Sequence, residues 1–254
     1  LLLLNNFLSR FFTEFSPASF SATLLKKMER PAMEKYADRH AAGMELAKLL
    51  QAYTGRQDAI VLALPRGGVP VAYEVAKSLR LPLDVFIVRK LGVPGHEELA
   101  MGAIATGGAQ VLNDDVMLDS QVSAEDLDRV VQSELAELER REKVYRGQRP
   151  PLDLNDKVVI LVDDGIATGA SMRVAVKALR QFKPLSIVIA VPVAEAAMSK
   201  KMVMIADKVI CPLTPSAFYA VGLYYEDFTQ TSDSEVHALL NQSIEQSVDK
   251  TRSK

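Results

Sequence analysis

The sequence of 254 residues contains one cysteine, Cys211, and no tryptophan. A lone cysteine excludes an internal disulfide framework and any cysteine-based zinc cluster. The three histidines, His40, His96 and His237, lie far apart and show no ligand spacing. Neither sign of charge is in excess. Thirty basic residues face 32 acidic ones, for a net charge of -2, which gives no support to a general nucleic-acid binder. No run reaches the ~18 apolar residues of a membrane span, because Asn5, Asn6, Ser9 and Arg10 interrupt the opening leucines. Three familiar loops are also missing. Gly169 is followed by Ala170 where a P-loop needs lysine, the G-x-G-x-x-G fingerprint does not occur, and no G-x-S-x-G elbow is found. What is there, 48% hydrophobic and 24% charged residues, is ordinary for a globular chain that needs no disulfide or structural metal.

Residues 1–32 differ from the rest, with five phenylalanines, several serines and only Glu14 and Glu29 as acids. They read either as a transit-like leader or as sequence upstream of a start at Met28 or Met33. The domain is read over 33–245, with a polar, frayed tail over 246–254. Within it, strands alternate with helices. Ala59–Leu64, Leu83–Val88, Lys157–Val162, Leu185–Val193 and Lys208–Cys211 read as strands. Glu34–Ala52, Val69–Leu79, Ser123–Tyr145, Ser171–Phe182, Ala194–Ile205 and Ser234 to about Gln246 read as helices. Ser123 and Asp126 look like a capping box. Leu91–His96 reads as a Gly/Pro-rich loop, and Met101–Leu112 as a hairpin turning at Gly107-Gly108. The alternation predicts an α/β domain with a mainly parallel sheet.

One segment carries chemistry. The apolar run Val158–Val162 ends in Asp163 and Asp164, and Gly165, Ile166, Ala167, Thr168, Gly169, Ala170 and Ser171 then lead into a helix. In open α/β sheets ligands bind at the carboxyl ends of strands. A helix N-terminus there presents backbone N–H groups to a phosphate, and the hydroxyls of Thr168 and Ser171 add donors. Two carboxylates beside an anion site make sense if they accept hydrogen bonds from sugar hydroxyls with a divalent cation nearby.

This segment resembles the signature of the type I phosphoribosyltransferases, and the likeness spans about Lys35 to Leu240. It is similar above all to the uncharacterised stand-alone bacterial members, whose opening helix Tyr36-Ala37-Asp38-Arg39 and Ala42-Gly43 also resemble. The resemblance implies the family fold, with a small hood and a mobile lid loop. It also implies binding of 5-phosphoribosyl-1-pyrophosphate, with Asp163 and Asp164 on the ribose and Ala167–Ser171 around the 5-phosphate. Arg66, Gly67 and Gly68, after the first strand, correspond to the pyrophosphate loop, where the family often holds a non-proline cis peptide. Val88-Arg89-Lys90-Leu91-Gly92 is similar to the strand entering the lid of adenine phosphoribosyltransferases, and places Arg89 and Lys90 toward the pyrophosphate. Ala167 stands where 6-oxopurine enzymes carry an acid, so the general base is sought in the lid, at Glu97, Glu98 or His96. Mg²⁺ is expected to be held mainly by the substrate, with no protein ligand assigned. The acceptor, a nucleobase-like nitrogen heterocycle, is expected under a hood containing Phe218, Tyr219, Tyr224, Tyr225 and Phe228. A cytoplasmic homodimer with neither nucleic-acid nor membrane partner completes the expectation; an organellar location follows if 1–32 are a transit peptide. Two other readings stay open: a non-catalytic ligand sensor on the same fold, and a hydrolase or phosphorylase of nucleotides.

Overall fold

The chain divides into the units Leu1–Lys35 and Tyr36–Lys254. The computed structural model describes residues 35–252, so the reading of 1–32 as a leader lies outside the described residues. The helices are α1 (Arg39–Leu49), α2 (Gly68–Leu79), α3 (Asp114–Asp119), α4 (Ala124–Arg146), α5 (Ala170–Gln181), α6 (Ala196–Met202) and α7 (Asp233–Arg252). The strands are β1 (Ala59–Ala63), β2 (Leu83–Val85), β3 (Val88–Val93), β4 (His96–Ala105), β5 (Ala109–Leu112), β6 (Val158–Val162), β7 (Ser186–Ala190) and β8 (Lys208–Ile210).

Five strands form a parallel sheet in the order β2-β1-β6-β7-β8, and β3-β4-β5 form a separate antiparallel sheet. All five residues of β6 are buried. Successive side chains of a strand point to opposite faces. Val158, Ile160 and Val162 therefore enter one core with residues of α1, α2, α4 and α7. Val159 and Leu161 enter the other, with residues of α5 and α6. This double cover explains why the strand sequence lacks polar alternation.

The chain leaves β1 through α2 to β2 on one side, then returns to place β6 on the other side of β1. The sheet order thus reverses between β1 and β6. Ala63 pairs with Val162 at the carboxyl ends of the two strands, and Leu64 N–H continues the pairing to the Val162 carbonyl at 2.9 Å. The loops that follow β1 and β6 therefore emerge side by side, where ligands of open α/β sheets bind.

The structure departs from the sequence reading in several places. The expected strand Leu83–Val88 is two strands in different sheets, divided at Phe86-Ile87. The expected loop Leu91–His96 is a tight β3–β4 turn, because Leu91 and Val93 are buried in the core and Gly95 supplies a φ of +77°. Helix α3 was not foreseen; it has only six residues, too few for a helical period to show, with Val116 and Met117 packed partly against the core. The capping of α4 stands as read, with Ser123 Oγ accepting from Asp126 N–H at 3.1 Å. Helix α7 continues through Arg252, beyond the expected Gln246. Among the described residues no helix is long and apolar enough to cross a membrane.

Candidate active site

Asp163 and Asp164 follow the last residue of β6 and face the loop after β1. That approach depends on Gly67 and Gly68. A Cβ on Gly67 would stand 2.1 Å from Asp164 Oδ2, and one on Gly68 would stand 2.8 Å from the Val162 carbonyl and 2.9 Å from Asp163 Cα. No side chain fits at either position without moving the acidic pair. The Pro65–Arg66 peptide preceding them is cis.

Arg39, at the start of α1, reaches the same point. Its Nε donates to Asp164 Oδ2 at 2.9 Å and its Nη1 to the Thr229 carbonyl at 2.8 Å. The Phe228 ring covers the guanidinium, with its centroid 3.9 Å from Cζ. Tyr225 donates its hydroxyl to the Asp164 carbonyl at 2.5 Å. The hood segment is laced to the chain before α1, by Tyr36 N–H to Tyr224 O at 2.9 Å and Glu226 N–H to Tyr36 O at 2.8 Å. Burial, then the adjacent Asp164 charge, push the Asp163 carboxyl well above the ordinary carboxylate range. Burial raises Asp164 as well, with Arg39 acting against it. Burial also raises the Tyr225 phenol.

The turn after β6 continues to pair with the neighbouring segment, Ile166 N–H donating to Val193 O at 2.9 Å. Gly165 and Ile166 are buried, whereas Ala167, Thr168, Ala170 and Ser171 are exposed. Gly169 takes φ +70°, and a Cβ there would meet Met198 Sδ at 2.8 Å. Helix α5 begins at the next residue, so its first-turn N–H groups open beside the exposed turn, that of Ala170 donating to Thr168 Oγ1 at 3.4 Å. Arg173 braces that turn through Nη1 to the Thr168 carbonyl at 2.9 Å.

The other basic side chains expected at the site are engaged elsewhere. Arg66 points to Asp233 at the start of α7, 3.5 Å away, and Asp233 also accepts from the Tyr145 hydroxyl at 2.7 Å. Arg89 forks onto Glu134 of α4. Lys90 Nζ lies 3.4 Å from Glu98 Oε2. His96, Glu97 and Glu98 are exposed at the tip of the β3–β4 hairpin. Among the described residues no hydrogen bond or ion pair joins those three to the acidic pair.

The hood aromatics divide. Tyr224 and Tyr225 are buried, and Phe218 stacks on Tyr224 with centroids 5.4 Å apart. Tyr219 is 84% exposed and Phe228 36%; Phe228 is occupied by Arg39 and Tyr225, so Tyr219 is the more open ring.

Arg39 was not among the candidates read from the sequence. A signal was present: Arg39, Ala42, Gly43, Leu46, Ala47 and Leu50 follow helical spacing, and all six are buried. A charged residue heading a buried stripe needs a partner, but its partner lies 125 residues away along the chain.

The chain resembles known proteins over most of its length. A family model described as a phosphoribosyl transferase domain matches residues 32–228. Two Mycobacterium tuberculosis proteins, from strains CDC 1551 and H37Rv and provisionally named phosphoribosyl transferases, are each 46% identical over 211 residues, 83% of this chain and 47% of their own length. The chain therefore spans about half the length of these curated relatives. The crystal structure of TT1426 from Thermus thermophilus is 40% identical and superimposes with a TM-score of 0.72, covering 82% of this chain and 98% of that one.

Proposed function

Because the chain belongs to the type I phosphoribosyltransferase family, we propose that it transfers the ribose 5-phosphate group of 5-phosphoribosyl-1-pyrophosphate to a ring nitrogen of a heterocyclic acceptor. The C1–O bond breaks with pyrophosphate as the leaving group, a C1–N bond forms, and the acceptor nitrogen gives up its proton. The observation that carries this reading is the packing of Asp163 and Asp164 against Gly67-Gly68 at the point where the sheet order reverses.

In this reading Asp163 and Asp164 accept the ribose hydroxyls. The exposed turn Ala167–Ser171 takes the 5-phosphate on the α5 N-terminus. The loop Arg66–Gly68 takes the diphosphate. Arg89 and Lys90 approach the diphosphate when the β3–β4 hairpin closes, and closure also excludes water. Glu97, Glu98 or His96 at the hairpin tip receives the acceptor's proton. The described residues offer the acidic pair but no group of three or more His, Cys, Asp or Glu that could hold a metal. That donor set suits Mg²⁺ carried largely by diphosphate oxygens and water. When bound, the ion supplies positive charge for the departing diphosphate.

The test is incubation with 5-phosphoribosyl-1-pyrophosphate, Mg²⁺ and a panel of purines, pyrimidines and related heterocycles. Pyrophosphate release that depends on one base, with nucleotide formed, is the expected result. Donor binding without turnover on any base would replace transfer with ligand sensing.

A further inference from the structure

We infer that Arg39 is the buried cation of the donor site, neutralising the acidic pair and facing the diphosphate end of the bound sugar phosphate. The inference rests on the donor reading above and adds a residue to it.

The charge arithmetic favours such a group beside any bound Mg²⁺. Two adjacent carboxylates would face a donor that carries a monophosphate and a diphosphate, and repulsion at this range is strong away from bulk water. The cations expected to offset it are committed elsewhere in this state: Arg66 to Asp233, Arg89 to Glu134 and Lys90 to Glu98. Arg39 places its guanidinium directly on Asp164 of the pair. Its position is also specific along the donor. A Cβ on Gly67, in the proposed diphosphate loop, would lie 3.4 Å from Arg39 Nε. The guanidinium thus lies against both that loop and Asp164.

Its hydrogen bonds leave capacity for a ligand. Arginine carries five N–H donors, and the bonds described engage one on Nε and one on Nη1. The Thr229 carbonyl and the Phe228 ring fix the guanidinium plane, so little ordering remains to be done when the donor arrives. Because Thr229 and Phe228 belong to the hood, the same contacts link the acceptor side of the site to the donor side.

Titration calorimetry with Mg²⁺ present tests this on the full chain, using 5-phosphoribosyl-1-pyrophosphate and ribose 5-phosphate as paired probes. Arg39→Gln should weaken the diphosphate donor by roughly tenfold or more, the scale of a charge-assisted hydrogen bond, and ribose 5-phosphate distinctly less. Arg39→Lys keeps the charge without the fork and should show the same order of losses at smaller size. It also serves if Arg39→Gln does not fold. Equal losses for both probes would make Arg39 a structural support and overturn the inference, as would unchanged affinity in Arg39→Lys and Arg39→Gln. Failure of the unaltered chain to bind the donor would overturn the donor reading itself, and the inference with it.

Discussion

Asp163 is an acid whose charged form the fold disfavours. Its folded carboxyl titrates above the unfolded value of about 3.9, because of burial and then the Asp164 charge. A carboxyl raised in this way favours the folded state fully below the unfolded value, and that contribution is lost as pH rises through the folded value. Asp163→Asn removes the charge and can still accept the Asp164 N–H bond of 2.9 Å. It should therefore melt higher than the parent at neutral pH, with the gain shrinking as pH falls and vanishing near pH ~4, while donor affinity drops. Melting curves from about pH 4 to 8 check the sign; a variant less stable at neutral pH contradicts it. Gly67→Ala makes a second prediction at this scale. Its methyl group would stand 2.1 Å from Asp164 Oδ2, a distance no relaxation of one rotamer easily absorbs. Donor binding should fall below detection in calorimetry, and a folded Gly67→Ala protein with parental affinity would show that the loop does not face the pair.

At the scale of elements, legibility followed where each signal is written. Strand β6 and its turn were readable because local residues encode them: a run buried on both faces, two acids, then a glycine with φ +70°. The cap of α4 was readable for the same reason, and Ser123→Ala should cost about 1 kcal/mol, seen as a melting point lower by roughly 2–4 °C. The split between β2 and β3 was not readable, since Val85 to Val88 is continuously apolar and only tertiary pairing assigns its ends to two sheets. Side-chain direction was the least legible. Arg66 lies in the expected loop, yet Asp233, far along the chain at the start of α7, determines where it points. Asp84 is similar: it is buried at the edge strand β2 and held by Arg146 at 3.0 Å, with Arg149 3.7 Å away. Removing one partner of such a buried pair leaves an uncompensated charge, so Asp84→Ala should destabilise by ~3–5 kcal/mol in denaturant melts without altering donor contacts.

At the scale of the whole molecule, the proposed function rests on where the sheet order reverses. The crossing from β1 and β2 to β6 brings a glycine loop, an acidic pair and a helix N-terminus to one sheet edge, and the hood closes over them through Arg39, Tyr225 and Phe228. A modest net charge of -2 conceals this pairing of opposite charges in one place. The chain belongs to a family of phosphoribosyl transferases, and the stated role of each residue depends on whether the donor's ribose sits on the acidic pair. Calorimetric titration of 5-phosphoribosyl-1-pyrophosphate with Mg²⁺ into the parent and into Asp163→Asn/Asp164→Asn tests that claim most directly. The account predicts binding by the parent, with affinity reduced by roughly a hundredfold in the double variant, the scale of two lost hydrogen bonds to charged groups. Equal affinity in the two proteins, with both folded, would contradict it.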